Sequence, residues 1–188
     1  MKNIRPLLAV ALAVSLAGCS GCSDTPYKRI ATAYHTLDLF KALVEDFDGA
    51  VTKYAAAKQT ECLKTHRPKT KEFDACVMPA VRLLRAWTGK KNGKPTGKGV
   101  LPAIQSTQRA AAIELKAVLA YIKSHEAECG KKDAPKNCTG DWQGLLKPSV
   151  CALMEIIDRA VKLGAYDVTT NRTYLMVKAA IAGFTCNR

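Results

Sequence analysis

Histidine is scarce in this chain of 188 residues: His35, His66 and His125 fall in three different segments. Ligand spacing for a zinc site is therefore missing. Among the seven cysteines that follow Cys19 no C-x-x-C pair occurs, and no C-x-x-C-H for haem attachment. Gly93-Lys94-Pro95-Thr96-Gly97-Lys98-Gly99 has three residues between its glycines and Gly after the second lysine, where a phosphate loop needs four and Ser or Thr. His125-Glu126 opens like a zinc-protease helix, but Cys129 stands where the second His belongs. No Glu-x-x-His repeat supports a di-iron bundle, Ser124 and Ser149 lack an evident His–acid partner, and no cofactor is expected. Alternating strand patterns and internal repeats are absent. Acids are few, 16 against 29 Lys plus Arg, giving a net charge of +13. Aromatics make up 6%. The apolar share, 48%, still suffices for a core, which excludes disordered, collagenous and low-complexity classes. The length suits one domain, or at most two small ones.

The N-terminus reads MKNIRPLLAVALAVSLAGC. Lys2 and Arg5 form a positive n-region, and Leu7 to Leu16 an uncharged apolar h-region. That stretch is too short to cross a bilayer core of ~30 Å, which takes about 20 apolar residues as a helix. Small residues follow at Ala17 and Gly18. This is the layout of a secretory signal peptide. Nothing else in the sequence approaches a transmembrane span.

Leu16-Ala17-Gly18-Cys19 resembles the bacterial lipobox. The resemblance covers the leader only, and no family is recognised for the rest of the chain. It implies a diacylglyceryl group on the Cys19 sulfur, cleavage before Cys19 by the lipoprotein signal peptidase, and acylation, commonly palmitate, of the new amine. It divides the chain into a signal peptide (1–18), a lipidated tether (19–24) and one domain (25–188). Two or three acyl chains, at ~0.8 kcal/mol per buried CH₂, anchor stably where one is marginal. It further implies a bacterial cell envelope location. Ser20, in place of the Asp that marks inner-membrane retention, leans toward an outer membrane facing the periplasm in a Gram-negative host. The alternatives are an ordinary signal that happens to meet a cysteine, and an uncleaved anchor, which the short h-region disfavours.

Export places the remaining cysteines in an oxidising space, where disulfides persist. They are Cys22, Cys62, Cys76, Cys129, Cys138, Cys151 and Cys186, an odd number, so one lacks an internal partner. Six cysteines allow 15 connectivities, and spacing alone does not choose among them. The preferred set is Cys62–Cys76, Cys129–Cys138 and Cys151–Cys186, each closing a connection between neighbouring elements, with Cys22 left in the tether.

Apolar spacing predicts helices throughout. Thr25-Pro26 reads as an N-cap and a first-turn proline. A heptad follows, with Ile30, Leu37, Val44 and Val51 at one seam position and Ala33, Phe40, Phe47 and Tyr54 at the other. Leu63 to Thr70 reads as a turn. A second helical pattern uses Phe73, Val77, Ala80, Leu84 and Trp87, with Pro79 expected to kink it or mark its start. Thr88 to Gly99 reads as a mobile loop. A third helix is expected over Pro102–Glu128, with Ile104, Ala111, Leu115, Val118 and Ile122 inward and Gln108 the polar exception. A long loop over 129–144 follows. A fourth helix is expected from about Pro148, with Val150, Met154, Ile157 and Val161 inward and Gly164 at its C-cap. A last helix is expected over Asn171–Phe184, with Tyr174, Val177, Ile181 and Phe184 inward. The expected fold is an all-α, disulfide-braced bundle of four to five helices.

The charge is uneven. Residues 19–60 carry five basic and five acidic residues, whereas residues 61–100 carry ten basic and three acidic. The ten are Lys64, Arg67, Lys69, Lys71, Arg82, Arg85, Lys90, Lys91, Lys94 and Lys98. They are candidates for a patch facing an anionic partner, or else a solvated surface that keeps the chain soluble. Nucleic acid is the least favoured ligand, because no aromatics interleave with the lysines. His35 and Asp38 sit one helical turn apart and read as a surface pair. Asn137-Cys-Thr and Asn171-Arg-Thr match the glycosylation pattern by chance.

Three functions compete. The first is a membrane-anchored envelope lipoprotein whose helical domain binds an envelope protein or an anionic surface without catalysis. The second is an envelope enzyme or enzyme inhibitor with a site across the helices. The third is an electrostatic tether that grips an anionic membrane surface or lipopolysaccharide through residues 61–100.

Overall fold

The structure is a computed structural model, and it describes residues 25–91, 93–96, 98–131, 134–180 and 186. The leader, Cys19 and Cys22 lie outside the described residues, as do Ile181 and Phe184. The fold is an all-α bundle. Helix α1 spans Pro26–Thr65, α2 Lys71–Thr88, α3 Val100–Ser124, α4 Glu126–Cys129, α5 Trp142–Lys162 and α6 Arg172–Ala180. A two-residue ladder, β1 (Lys90–Lys91) with β2 (Lys94–Pro95), joins α2 to α3. A 3-10 turn, Lys136–Cys138, precedes α5.

α1 organises the bundle. The Thr25 hydroxyl accepts a hydrogen bond from the Lys28 amide, and Pro26 fills the first turn. From there the heptad seam buries Ile30, Ala33, Leu37, Phe40, Val44, Phe47 and Val51. Leu43 and Thr36 join them, so the buried stripe is wider than a coiled-coil seam. Tyr54 is only half-buried, because the core ends near Val51. Beyond Val51, α1 buries only Cys62, and the first nine residues of α2 bury none. The end of α1 and the start of α2 thus form a two-helix arm leaving the core, stapled by Cys62–Cys76 with a Cα–Cα distance of 5.9 Å.

α2 returns antiparallel to α1, and its C-terminal half enters the core through Ala80, Leu83 and Trp87. Phe73, Val77 and Leu84, expected inward, are half-buried. The helix continues through Pro79, which neither starts nor ends it. Its true start is capped by Thr70, whose hydroxyl accepts from the Phe73 amide at 3.2 Å.

Within Thr88–Gly99, expected as a mobile loop, the described residues form a short hairpin. Gly89 ends α2 in the left-handed region at φ 67°. Its carbonyl accepts from both the amide and the hydroxyl of Thr96, each at 2.7 Å. A Cβ on Gly89 would stand 2.7 Å from the Gly99 amide nitrogen, so neither glycine has room for a side chain. Asn92-Gly93 is the two-residue hairpin signal that the lysine-rich composition concealed.

α3 buries Ile104, Ala111, Leu115, Val118 and Ile122, as its spacing predicts. It stops at Ser124 and not Glu128, because His125 leaves helical geometry and α4 starts afresh behind it. The loop expected over 129–144 is shortened by α4, the 3-10 turn and the buried Cys129–Cys138 bridge. α5 starts at Trp142, well before Pro148, because the Asp141 carboxylate accepts from the Gly144 amide. Its inward residues are Leu146, Ser149, Val150, Leu153, Ile156, Ile157 and Ala160. Met154 and Val161 lie off that stripe, since α5 meets α3 on the side where Ser149 bonds to Thr107. Gly164, at φ 67°, closes α5 as expected, with the Ala165 amide reaching back to the Ala160 carbonyl. Asn171 caps α6, which buries Tyr174 and Val177. Cys151–Cys186 ties the C-terminal segment to α5.

Candidate functional site

All ten basic residues of the 61–100 segment are exposed. Among the described residues none of them is in an ion pair. The fold does not gather them into one patch. Lys64, Arg67, Lys69 and Lys71 surround the turn at the tip of the arm. Lys64 stands in the last turn of α1, where a cation offsets the negative end of the helix dipole. Lys69 there adopts φ 66°. The other six follow α2 to its far end: Arg82 and Arg85 on the helix, then Lys90, Lys91, Lys94 and Lys98 on the hairpin. Along α2 the nearest members of the two groups, Lys71 and Arg82, stand ~17 Å apart at 1.5 Å per residue, and the hairpin lysines lie past the far end of the helix, ~27 Å from its start. The indole of Trp87 donates to Asp48 at 2.6 Å, which sets the hairpin group beside the middle of α1. The tip group lies at the end of a 40-residue helix, ~60 Å from its first turn.

A groove of about 610 Å³ runs between α2 and the end of α5. Ala75, Met78, Pro79, Leu83, Ala86 and Leu163 give it an apolar floor. Arg82 on one wall and Arg159 with Lys162 on the other give it a cationic rim. Arg82 is the only member of the sequence-derived patch that it uses. Arg159 and Lys162 were missed because they lie about eighty positions further along the chain. The signal present in the sequence is a second 3-4 stripe on α2, through Ala75, Met78, Pro79, Arg82 and Ala86. A second groove, of about 390 Å³, opens between the arm helices over Ala55, Ala56, Phe73, Val77 and Val81. A third, of about 730 Å³, lies by the Cys129–Cys138 turn, between Glu114, Tyr121, Lys136 and Asp141.

Polar clusters elsewhere serve the fold. Asp46 accepts from the Tyr166 hydroxyl at 2.8 Å and from the Asn171 side-chain amide at 2.6 Å. Burial first, then the Asp46 hydrogen bond and charge, push the Tyr166 phenol well above its ordinary value of 10.0. Phe47 makes edge contacts with Trp87 and Tyr166, with ring centres 4.8 and 5.1 Å away. Asp46 and Asp48 therefore bracket the aromatic centre that joins α1, α2 and the α5–α6 connection. Ser124 bonds His125 Nδ1 at 2.9 Å, and Tyr121 stacks on that ring. Among the described residues, no three His, Cys, Asp or Glu side chains are grouped to hold a metal ion. No helix among them is long and apolar enough to cross a membrane.

Comparison with protein-family models, curated proteins and solved structures finds no match for this chain.

Proposed function

We propose that this protein is a lipid-anchored bacterial envelope protein whose helical domain binds a partner and performs no catalysis. The observation that carries the reading is the set of three disulfides, Cys62–Cys76, Cys129–Cys138 and Cys151–Cys186, in a chain whose leader ends on the Leu16–Cys19 lipobox. Bridges of this kind belong to exported proteins, and the leader supplies both export and anchor. Thr25, which caps α1, comes six positions after Cys19, so at most ~20 Å of extended chain separates the acyl chains from the domain. Cys19→Ser is the direct test. The variant is expected in the soluble fraction, and unchanged membrane fractionation would refute the anchor.

A second reading is favoured by the exposed, unpaired cations. Lys64, Arg67, Lys69 and Lys71, at the tip of the arm, would grip an anionic surface such as a membrane or lipopolysaccharide opposite the anchor. Reversing these four to Glu is then expected to weaken binding to anionic vesicles, with a salt dependence that the parent shows and the variant loses. Equal binding by parent and variant would reduce the tip charges to solubilising ones.

A further inference from the structure

The groove between α2 and α5 combines two properties that point to one kind of occupant. Its floor on α2 is a single helical stripe, Ala75, Met78, Pro79, Leu83 and Ala86, which extends ~17 Å at 1.5 Å per residue. Its rim is cationic on both sides, and no acidic side chain is among its lining residues. Arg82 and Lys162 are in no ion pair among the described residues, while Arg159 shares its guanidinium with Glu155 one turn back on α5. We propose that this groove receives an amphipathic helix of a partner protein, about three turns long, with acidic residues flanking its apolar stripe.

Shape selects a helix over an acyl chain. The groove is shallow and open, so an acyl chain laid in it would leave much of its surface in water. A helix needs only one face covered and keeps the other solvated. The 3-4 spacing along α2 is the surface that ridge-into-groove packing requires. Met78 in the floor adapts to varied side chains, and the arginine stems extend the apolar walls while their heads stay wet. Charge fixes the sign of the partner's flanks: cations on both walls attract carboxylates and repel a basic helix. The proposal rests on the reading of the domain as an interaction module and is independent of the lipid.

The test uses the full lipidated chain in detergent micelles. The probe is a synthetic helical peptide of about 14 residues, with a Leu stripe flanked by Glu, and its twin carries Lys at every Glu position. Fluorescence anisotropy is expected to show the acidic peptide binding at least about tenfold tighter than the twin. Arg82→Glu with Lys162→Glu, both at exposed positions, is expected to weaken acidic-peptide binding about tenfold or more. Lys90→Glu, Lys91→Glu and Lys94→Glu together are expected to change it less than about twofold. Met78→Asp, which puts an acid in the floor, is expected to weaken it too, with circular dichroism confirming the fold. A photo-crosslinker on the peptide's apolar stripe is expected to mark residues 75–86 and 159–163. Equal binding of the twin, indifference to Arg82→Glu with Lys162→Glu, or crosslinks elsewhere would overturn the proposal. So would displacement of the peptide by phosphatidylglycerol vesicles acting through the same residues, which would make the occupant a lipid. Failure here leaves the Cys19→Ser fractionation result intact, so groove and anchor can fail separately.

Discussion

Phe47 is fully buried and meets Trp87 and Tyr166 edge-on, so three elements depend on one ring. Phe47→Ala is expected to cost ~3–5 kcal/mol, through lost transfer energy and a cavity that such a junction cannot collapse, read by urea unfolding with the disulfides intact. A loss below ~1 kcal/mol would show that the junction repacks freely. Tyr166 gives a pH signature. Its pKa is raised in the folded state, so folding favours the neutral phenol. The stability this contributes is complete below the ordinary phenol value and declines as pH rises past about 10. Ultraviolet titration is expected to show a late tyrosine step that disappears in Tyr166→Phe and moves to lower pH in Asp46→Asn. A late step that persists in Tyr166→Phe would assign it elsewhere. The buried heptad residues from Ile30 to Val51 were legible in the sequence, because burial there follows local period. Asp46 and Asp48 were not, because their partners Trp87, Tyr166 and Asn171 lie 39 to 125 positions away.

At the scale of elements, the arm is the informative part. Its two helices bury little beyond the cysteine bridge, so the bridge does much of the work of holding them together. Cys62→Ser with Cys76→Ser removes a crosslink worth ~3 kcal/mol for a loop of this size. Amide exchange is expected to rise over residues 52–79 and to stay slow around Leu115 and Leu153. A uniform rise would mean that arm and core unfold as one unit. Pro79 lies inside α2, where it withholds an amide from the Ala75 carbonyl. Pro79→Ala is therefore expected to stabilise the protein by ~2 kcal/mol, the helix gain exceeding the lost restraint on the unfolded chain. A lower unfolding midpoint would contradict that. Gly99→Ala would press a Cβ against the Gly89 backbone and is expected to cost on the order of 1–3 kcal/mol in thermal unfolding. The helices were legible because their apolar periods are strong, whereas their ends were set by features that a period does not carry. Asp141 starts α5 early, and the break at His125 ends α3. The Gly89–Gly99 contact turns a lysine-rich stretch into a hairpin.

At the scale of the whole molecule, three bridges brace an all-α bundle from which one stapled arm extends. The preferred cysteine pairing agrees with the structure because each pair spans a connection between elements adjacent in space. The basic segment divides differently from the sequence impression. One group caps the arm and another follows α2 to the hairpin, and Arg82 alone meets the apolar groove, where α5 supplies the remaining cations. Charge composition located the excess but not its division, since α2 separates the arm tip from the hairpin. The proposed role joins this domain to a membrane through Cys19. The intact mass of the mature protein purified from its native host tests that claim most directly. The expected result is a chain that begins at Cys19 and carries the added mass of a diacylglyceryl group and an amide-linked acyl chain. A chain that retains Met1, or one cleaved elsewhere with no lipid on Cys19, would contradict it.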